Sequence, residues 1–333
     1  MSGNTVWRAV AGLTAAWLAA LGGVGCGTDS HPASAAQTTV STSPVTTGPL
    51  PGTGKPTVVI GDKNFTEQFV LGQLYLQALA AQGFPVVINR NIGPTEVTVT
   101  ALETGRLAMY PEYLNTWDAT VAGLSRKFAS SYDAYQAGQR YALAHGLELL
   151  NPTPFSDTQA IGVTFSYSVR NGLRTLGDLD KVESELVVGA PPEFQQAPSE
   201  LPALERAYGF APAMFKPLNV GDQYNELEQG VVQAAAVNTT DAELITGGYT
   251  LLADPLHVFG WGNVVPVVSA RVVDAEGPAF VSTINKVSSL LSMPVIRELN
   301  AAVDTSHLDP ARVARQFLME HGLIPAAAST PGR

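Results

Sequence analysis

Cysteine occurs once in the 333 residues, at Cys26, so the chain can form no internal disulfide. Histidine is almost as scarce: His31, His145, His257, His307 and His321 are scattered without the spacing of a metal site. The motifs G-x-S-x-G and H-E-x-x-H are both missing, and with them two common routes to hydrolysis. Basic runs are absent from a chain of formal net charge −10, which argues against nucleic acid as a partner. No segment approaches the ~18 consecutive apolar residues needed to span a bilayer. Gly52-Thr53-Gly54-Lys55 looks like the end of a phosphate-binding loop, but the first glycine is misplaced and Pro56 stands where a magnesium-binding hydroxyl belongs. These absences leave no metal site, no cofactor loop and no activated nucleophile. Lys63 with Asp157 or Glu193 is the only acid/base pairing on offer. The expectation is a binding protein without cofactor, not an enzyme.

What the chain does have begins with an export signal. Residues 1–25 carry one charge, Arg8, then an apolar segment from Val10 to Leu21 and the small residues Gly22-Gly23-Val24-Gly25 before Cys26. The pattern is similar to the lipobox of bacterial lipoproteins, with Gly23 where leucine is preferred, and it implies a diacylated Cys26 on the outer face of the cell membrane. Residues 26–56 are rich in Ser, Thr, Pro, Ala and Gly and read as a mobile tether, and 326–333 as a disordered tail.

The region from about 57 to 325 is longer than one core usually serves, which favours two lobes. It opens with Thr57-Val58-Val59-Ile60, a β-branched run that reads as a buried strand. Phe69, Val70, Leu74, Leu76 and Leu79 then recur with helical spacing. Between them Gly61-Asp62-Lys63-Asn64-Phe65-Thr66-Glu67-Gln68 forms a loop at the carboxyl end of the strand, the edge where open α/β sheets bind ligands. Asn64 or Thr66 can cap the helix and Glu67 and Gln68 complement its positive end. Lys63 is not needed for capping. Strands at 86–88, 107–110, 159–165, 186–190, 234–237 and 264–270 alternate with helices at 95–102, 131–145, 199–208 and 222–229, and 278–291, 294–303 and 310–321 close the chain as helices, the last behind an Asp309 cap. The class is therefore α/β, with largely parallel sheets expected.

Taken together, "GDKNFTEQFVLGQLYLQAL", "NIGPTEVTVTALETG", "MYPEYLNT", "SDTQAIGV", "LPALERAYGF" and "AVNTTDAEL" resemble, in order, the landmarks of the substrate-binding proteins of osmoprotectant ABC importers. The resemblance implies a two-lobed, periplasmic-binding-protein-like clamshell of type II with two hinge crossings. One lobe would comprise 57–155 plus 256–325, and the other 156–255. It also implies a monomer, a small-molecule ligand between the lobes, and a membrane permease as partner.

Family chemistry places a quaternary ammonium in an aromatic cage and a betaine carboxylate on an arginine, with a lysine and a threonine nearby. Lys63 and Thr95 match that lysine and threonine, and Asp157 and Glu193 match acidic residues of the pocket. The cage does not match. Gln159 and Asn238 replace two tyrosines, Ala197 replaces the arginine, and Trp261 stands about one residue from a further tyrosine. Asn64, Tyr110 and Thr239 complete the candidate set, although Tyr110 reads first as packing. A micromolar ligand has about 8 kcal/mol of binding energy. Each desolvated cation–π contact contributes ~2 kcal/mol and a lost buried arginine costs ~2–5 kcal/mol. The expectation is a lost betaine site and a neutral, hydroxylated ligand such as a polyol, a sugar-like osmolyte or a phenolic. A quaternary-ammonium binder with a rearranged cage and a ligand sensor without transport are the alternatives.

Overall fold

The computed structural model describes residues 48–124 and 126–326. The signal peptide, Cys26, most of the tether and the tail from 327 onward lie outside the described residues. Residues 49–55, expected in the tether, instead form a turn on the body: Gly52 N–H donates to Gln82 O at 2.9 Å and Lys55 Nζ to Ala275 O at 2.7 Å. Gly52 is buried so closely against Gly83 and Phe84 that a β-carbon would sit 2.2 Å from the Phe84 nitrogen.

Ten strands form two five-stranded sheets. The first contains β1 (Val58–Gly61), β2 (Val86–Asn89), β3 (Met109–Tyr113), β4 (Leu147–Leu149) and β10 (Val264–Ser269), in the order β2-β1-β3-β10-β4. The second contains β5 (Gln159–Thr164), β6 (Val187–Ala190), β7 (Met214–Pro217), β8 (Ala234–Asn238) and β9 (Tyr249–Leu251), in the order β7-β6-β8-β5-β9. Both follow one plan: the second strand in the order has parallel neighbours on either side, and the fourth runs antiparallel to both of its neighbours. The chain passes between the sheets twice, once after β4 and again after β9. The result is an α/β structure of two lobes.

The expectation of largely parallel sheets is thus corrected to mixed sheets. Strand direction is set by where the chain re-enters a sheet, and hydrophobic periodicity carries no record of that. β10 returns from the second lobe to lie antiparallel to β3, with Pro266 opposite Pro111. Both prolines are tolerated inside the sheet because neither asks the other for an N–H; the free Pro111 carbonyl takes a 3.1 Å bond from the buried Gln68 amide instead.

The helix Thr66–Ala81 lies over β1 and is enclosed by the C-terminal helices Pro278–Leu290, Met293–Asp304 and Pro310–Glu320. Val70, Leu71, Leu74, Tyr75, Ala78 and Leu79 are all at most 1% exposed, a broader stripe than the five residues expected. Its N-cap is Phe65 in extended backbone, with no side chain capping it. Asn64 and Thr66 therefore do not cap, and Thr66 Oγ1 donates to Asp304 Oδ1 at 2.5 Å. Thr95 likewise opens its helix (Thr95–Glu103) behind the N-cap Pro94 and does not cap it. Asp309 does cap as expected, accepting from the Ala311 and Arg312 amides.

Candidate ligand-binding cleft

Lys63 leaves the carboxyl end of β1 and turns inward, with a side chain 12% exposed. Its Nζ donates to Glu112 Oε1 at 2.6 Å, Glu112 Oε2 at 2.8 Å and Thr95 Oγ1 at 2.9 Å. Glu112, fully buried on β3, also accepts from Thr95 Oγ1 (3.1 Å), Tyr110 OH (3.3 Å) and the Tyr113 amide (2.9 Å). The lysine is held in place and its charge is matched within the first lobe. Thr95 and Tyr110 serve this ion pair from behind; they are buried and do not line the cleft.

The cleft itself encloses about 1350 Å³ between the lobes, more than the ~300–1,000 Å³ usual for small-molecule sites. Of the expected residues, Lys63, Asp157, Gln159, Asn238 and Trp261 line it. Thr239 lies at the crossing, where its hydroxyl donates to Ser156 O at 2.7 Å and accepts from the Thr158 amide at 3.0 Å. Asn64 is exposed outside the cleft, and Glu193 sits in the short turn Pro192–Gln195 on the surface of the second lobe. Ala197 follows that turn and does not line the cleft either. Gln159, oriented to satisfy its surroundings, donates its amide to Glu200, so its oxygen is the atom left for a ligand.

Trp261 is fixed by a 3.2 Å bond from its indole N–H to Phe128 O and by His257, whose ring centroid lies 4.0 Å away. Arg126 lies over the Phe128 ring at 4.7 Å. Phe65, 41% exposed, also lines the cleft and stacks on Tyr113 at 6.0 Å. The cleft therefore has aromatic walls.

Its floor is acidic, and of its acids only Asp157 was expected from the sequence. Glu67, read as a dipole-complementing cap, is only 4% exposed and accepts from Tyr113 OH at 2.8 Å and from Asn300 Nδ2 at 2.9 Å. Asp157 has its Oδ1 buried without a hydrogen-bond partner. Asp241 accepts from Tyr224 OH at 2.8 Å and the Asn238 amide at 3.0 Å. Burial raises all three carboxyls above the usual range, most strongly Asp157, which also feels the charges of Glu67 and Asp241. A fourth acid, Asp118, lines the cleft from the π-helical turn Trp117–Val121; burial pushes it up to about 7 although Arg126 pulls it down. Asn300 and Asp118 carry no short motif, and only the fold brings them to the cleft.

Residues 56–320 match the family described as the substrate-binding domain of the ABC-type glycine betaine transport system. The chain belongs to this family. It is 29% identical over 289 residues to the Glycine betaine-binding protein YehZ of Escherichia coli, covering 82% of this chain and 93% of that protein. It is 28% identical over 279 residues to the Glycine-betaine-binding protein of Pseudomonas aeruginosa, covering 80% and 89%. Among solved structures, a glycine betaine/carnitine/choline ABC transporter protein superposes with a TM-score of 0.74 at 22% identity, over 80% of this chain and 99% of that one, and supports the clamshell fold. The protein is thus a substrate-binding component of the glycine betaine-type ABC transporter family. Such components act outside the cytoplasm, bind small ligands and pair with permease subunits; binding, not catalysis, is the family activity.

Proposed function

We propose that this protein is a lipid-anchored solute receptor on the outer face of the cell membrane. It captures a neutral, polar, hydroxylated small molecule and delivers it to an ABC permease. The observation that carries the ligand reading is the closed Lys63–Glu112 pair: the one lysine that matches the family's carboxylate partner already has its charge matched at 2.6 Å. A betaine carboxylate at Lys63 meets an amine already paired with Glu112, beside the acids Glu67, Asp157 and Asp241; Arg126 and Lys127, which also line the cleft, are the cations left to it. Hydroxyl groups suit such walls, because carboxylates and the Gln159 oxygen accept hydrogen bonds and Asn238 both donates and accepts. Phe65 and Trp261 offer apolar faces for the ligand's carbon skeleton.

The acidic floor favours a second reading, a cation without a carboxylate, such as choline, resting on the aromatic walls. Titration calorimetry of the mature protein separates the two. Binding of a polyol or a phenolic, with no heat from glycine betaine, carnitine or choline, supports the first reading; micromolar choline binding alone supports the second; micromolar glycine betaine overturns both. The anchor is tested by metabolic labelling with a fatty acid: Cys26→Ala abolishes incorporation if the cysteine is acylated, and unchanged incorporation removes the proposal.

A further inference from the structure

Three carboxyl groups from different parts of the chain line the cleft at the junction of the lobes. Glu67 comes from the first turn of the helix Thr66–Ala81, Asp157 from the first crossing, and Asp241 from the turn after β8. Asn300 ties the lobes at this point, its Nδ2 donating both to Glu67 Oε2 and, at 3.1 Å, to Thr240 O.

One cation, Arg297, acts on Asp241, and the other charged groups around the cluster are acids. From the helix Met293–Asp304, Arg297 donates its Nε to the Thr239 carbonyl at 2.8 Å and feels the charge of Asp241 without direct ion-pair contact among the described residues, while Asp304 adds a further negative charge. From the turn after β8, Glu243 adds another. Tyr113 from β3 and Tyr224 from the helix Gln223–Glu228 supply hydroxyl donors but no charge, and Lys63 faces Glu112. Two buried oxygens, Asp157 Oδ1 and Asn300 Oδ1, are left without any donor. Buried acceptors without donors, beside clustered carboxylates, call for an additional hydrogen.

We propose that Glu67, Asp157 and Asp241 share at least one proton in the unliganded protein, and that this proton holds the lobes together at their junction. With the proton, a neutral carboxyl donates to a neighbouring oxygen and the lobes stay in contact. Without it, Glu67 on one lobe repels Asp157 and Asp241 on the other side of the junction, and the cleft opens. The inference goes beyond the ligand reading and does not depend on it, since it concerns the empty protein.

The folded chain binds the proton more firmly than the unfolded chain, so stability declines as pH rises through the raised values. The test uses the mature protein without ligand, from pH 5 to pH 8. The melting temperature of wild type is expected to fall by about 3 °C or more over that range relative to Asp157→Asn, which carries the hydrogen permanently. Glu67→Gln supplies the same comparison should the first variant not fold. Small-angle scattering is expected to show wild type more extended at pH 8 than at pH 5 and the amide variant unchanged. Melting curves of wild type and both variants that run parallel across the range overturn the shared proton. A melting difference with identical scattering at both pH values overturns the role in closure.

Discussion

At the scale of single residues, Lys63 shows how a matched motif changes meaning in its surroundings. A lysine beside a ligand loop suggests an anion receptor; a lysine clamped by a fully buried glutamate is part of the wall. Removing one partner of such a pair leaves an uncompensated buried charge, so Glu112→Ala is expected to cost about 3–5 kcal/mol in urea unfolding. The double change Lys63→Met with Glu112→Leu is expected to restore most of that loss. A single mutant within 1 kcal/mol of wild type shows that the pair is solvated. Asp118 gives a second prediction. Its carboxyl, pushed up to about 7 by burial, favours the folded state in its neutral form, so its contribution declines as pH rises from about 4 through 7. Asp118→Asn is therefore expected to raise the melting temperature at pH 8 and to leave it nearly unchanged at pH 4. An equal shift at both pH values contradicts the raised ionisation.

At the scale of elements, the readings that held were those with strong local signals. Proline at the first helical position and aspartate before it placed the helix Pro310–Glu320 within one residue of its expected end. Asp309→Ala is expected to cost about 1 kcal/mol and Asp309→Ser much less, measured by chemical unfolding. Other elements had no such signal. β3 runs Met109–Tyr113, two residues later than expected, because Pro111 and Glu112 argue against a strand until Pro266 and Lys63 are seen beside them. The strand Met214–Pro217 carries a lysine and a proline and was not expected at all. The π-helical turn Trp117–Val121 also escaped the sequence reading, although it is what turns Asp118 toward the cleft. It fits there only because Gly138 has no side chain: a β-carbon at that position would lie 2.6 Å from Asp118 Oδ1. Such turns occur often at functional sites.

At the scale of the whole molecule, the helix Met293–Asp304 reaches from the first lobe to the backbone of Thr239 and Thr240 in the second. Arg297→Ala is expected to loosen this junction, seen as faster amide exchange across residues 239–246 with little change in the β1 and β3 core. Unchanged exchange in that turn means that the arginine bond contributes nothing to lobe contact.

The α/β class and most of the strand-helix order were legible in the sequence, because β-branched runs and helical periodicity are local properties of the chain, and the family was legible from the resemblance of its ordered motifs. The residues Gln159, Asn238 and Ala197, on which the expectation of an altered site rests, are likewise read directly. What only the tertiary structure decided was the charge of the cleft. Glu67 and Asn300 are 233 residues apart and meet at 2.9 Å, while Lys63 and Glu112 are 49 residues apart and neutralise one another. Electrostatic character depends on distance and burial, neither of which is written in the order of residues. The one lysine expected to face a ligand thus became half of a closed ion pair beside an acidic floor.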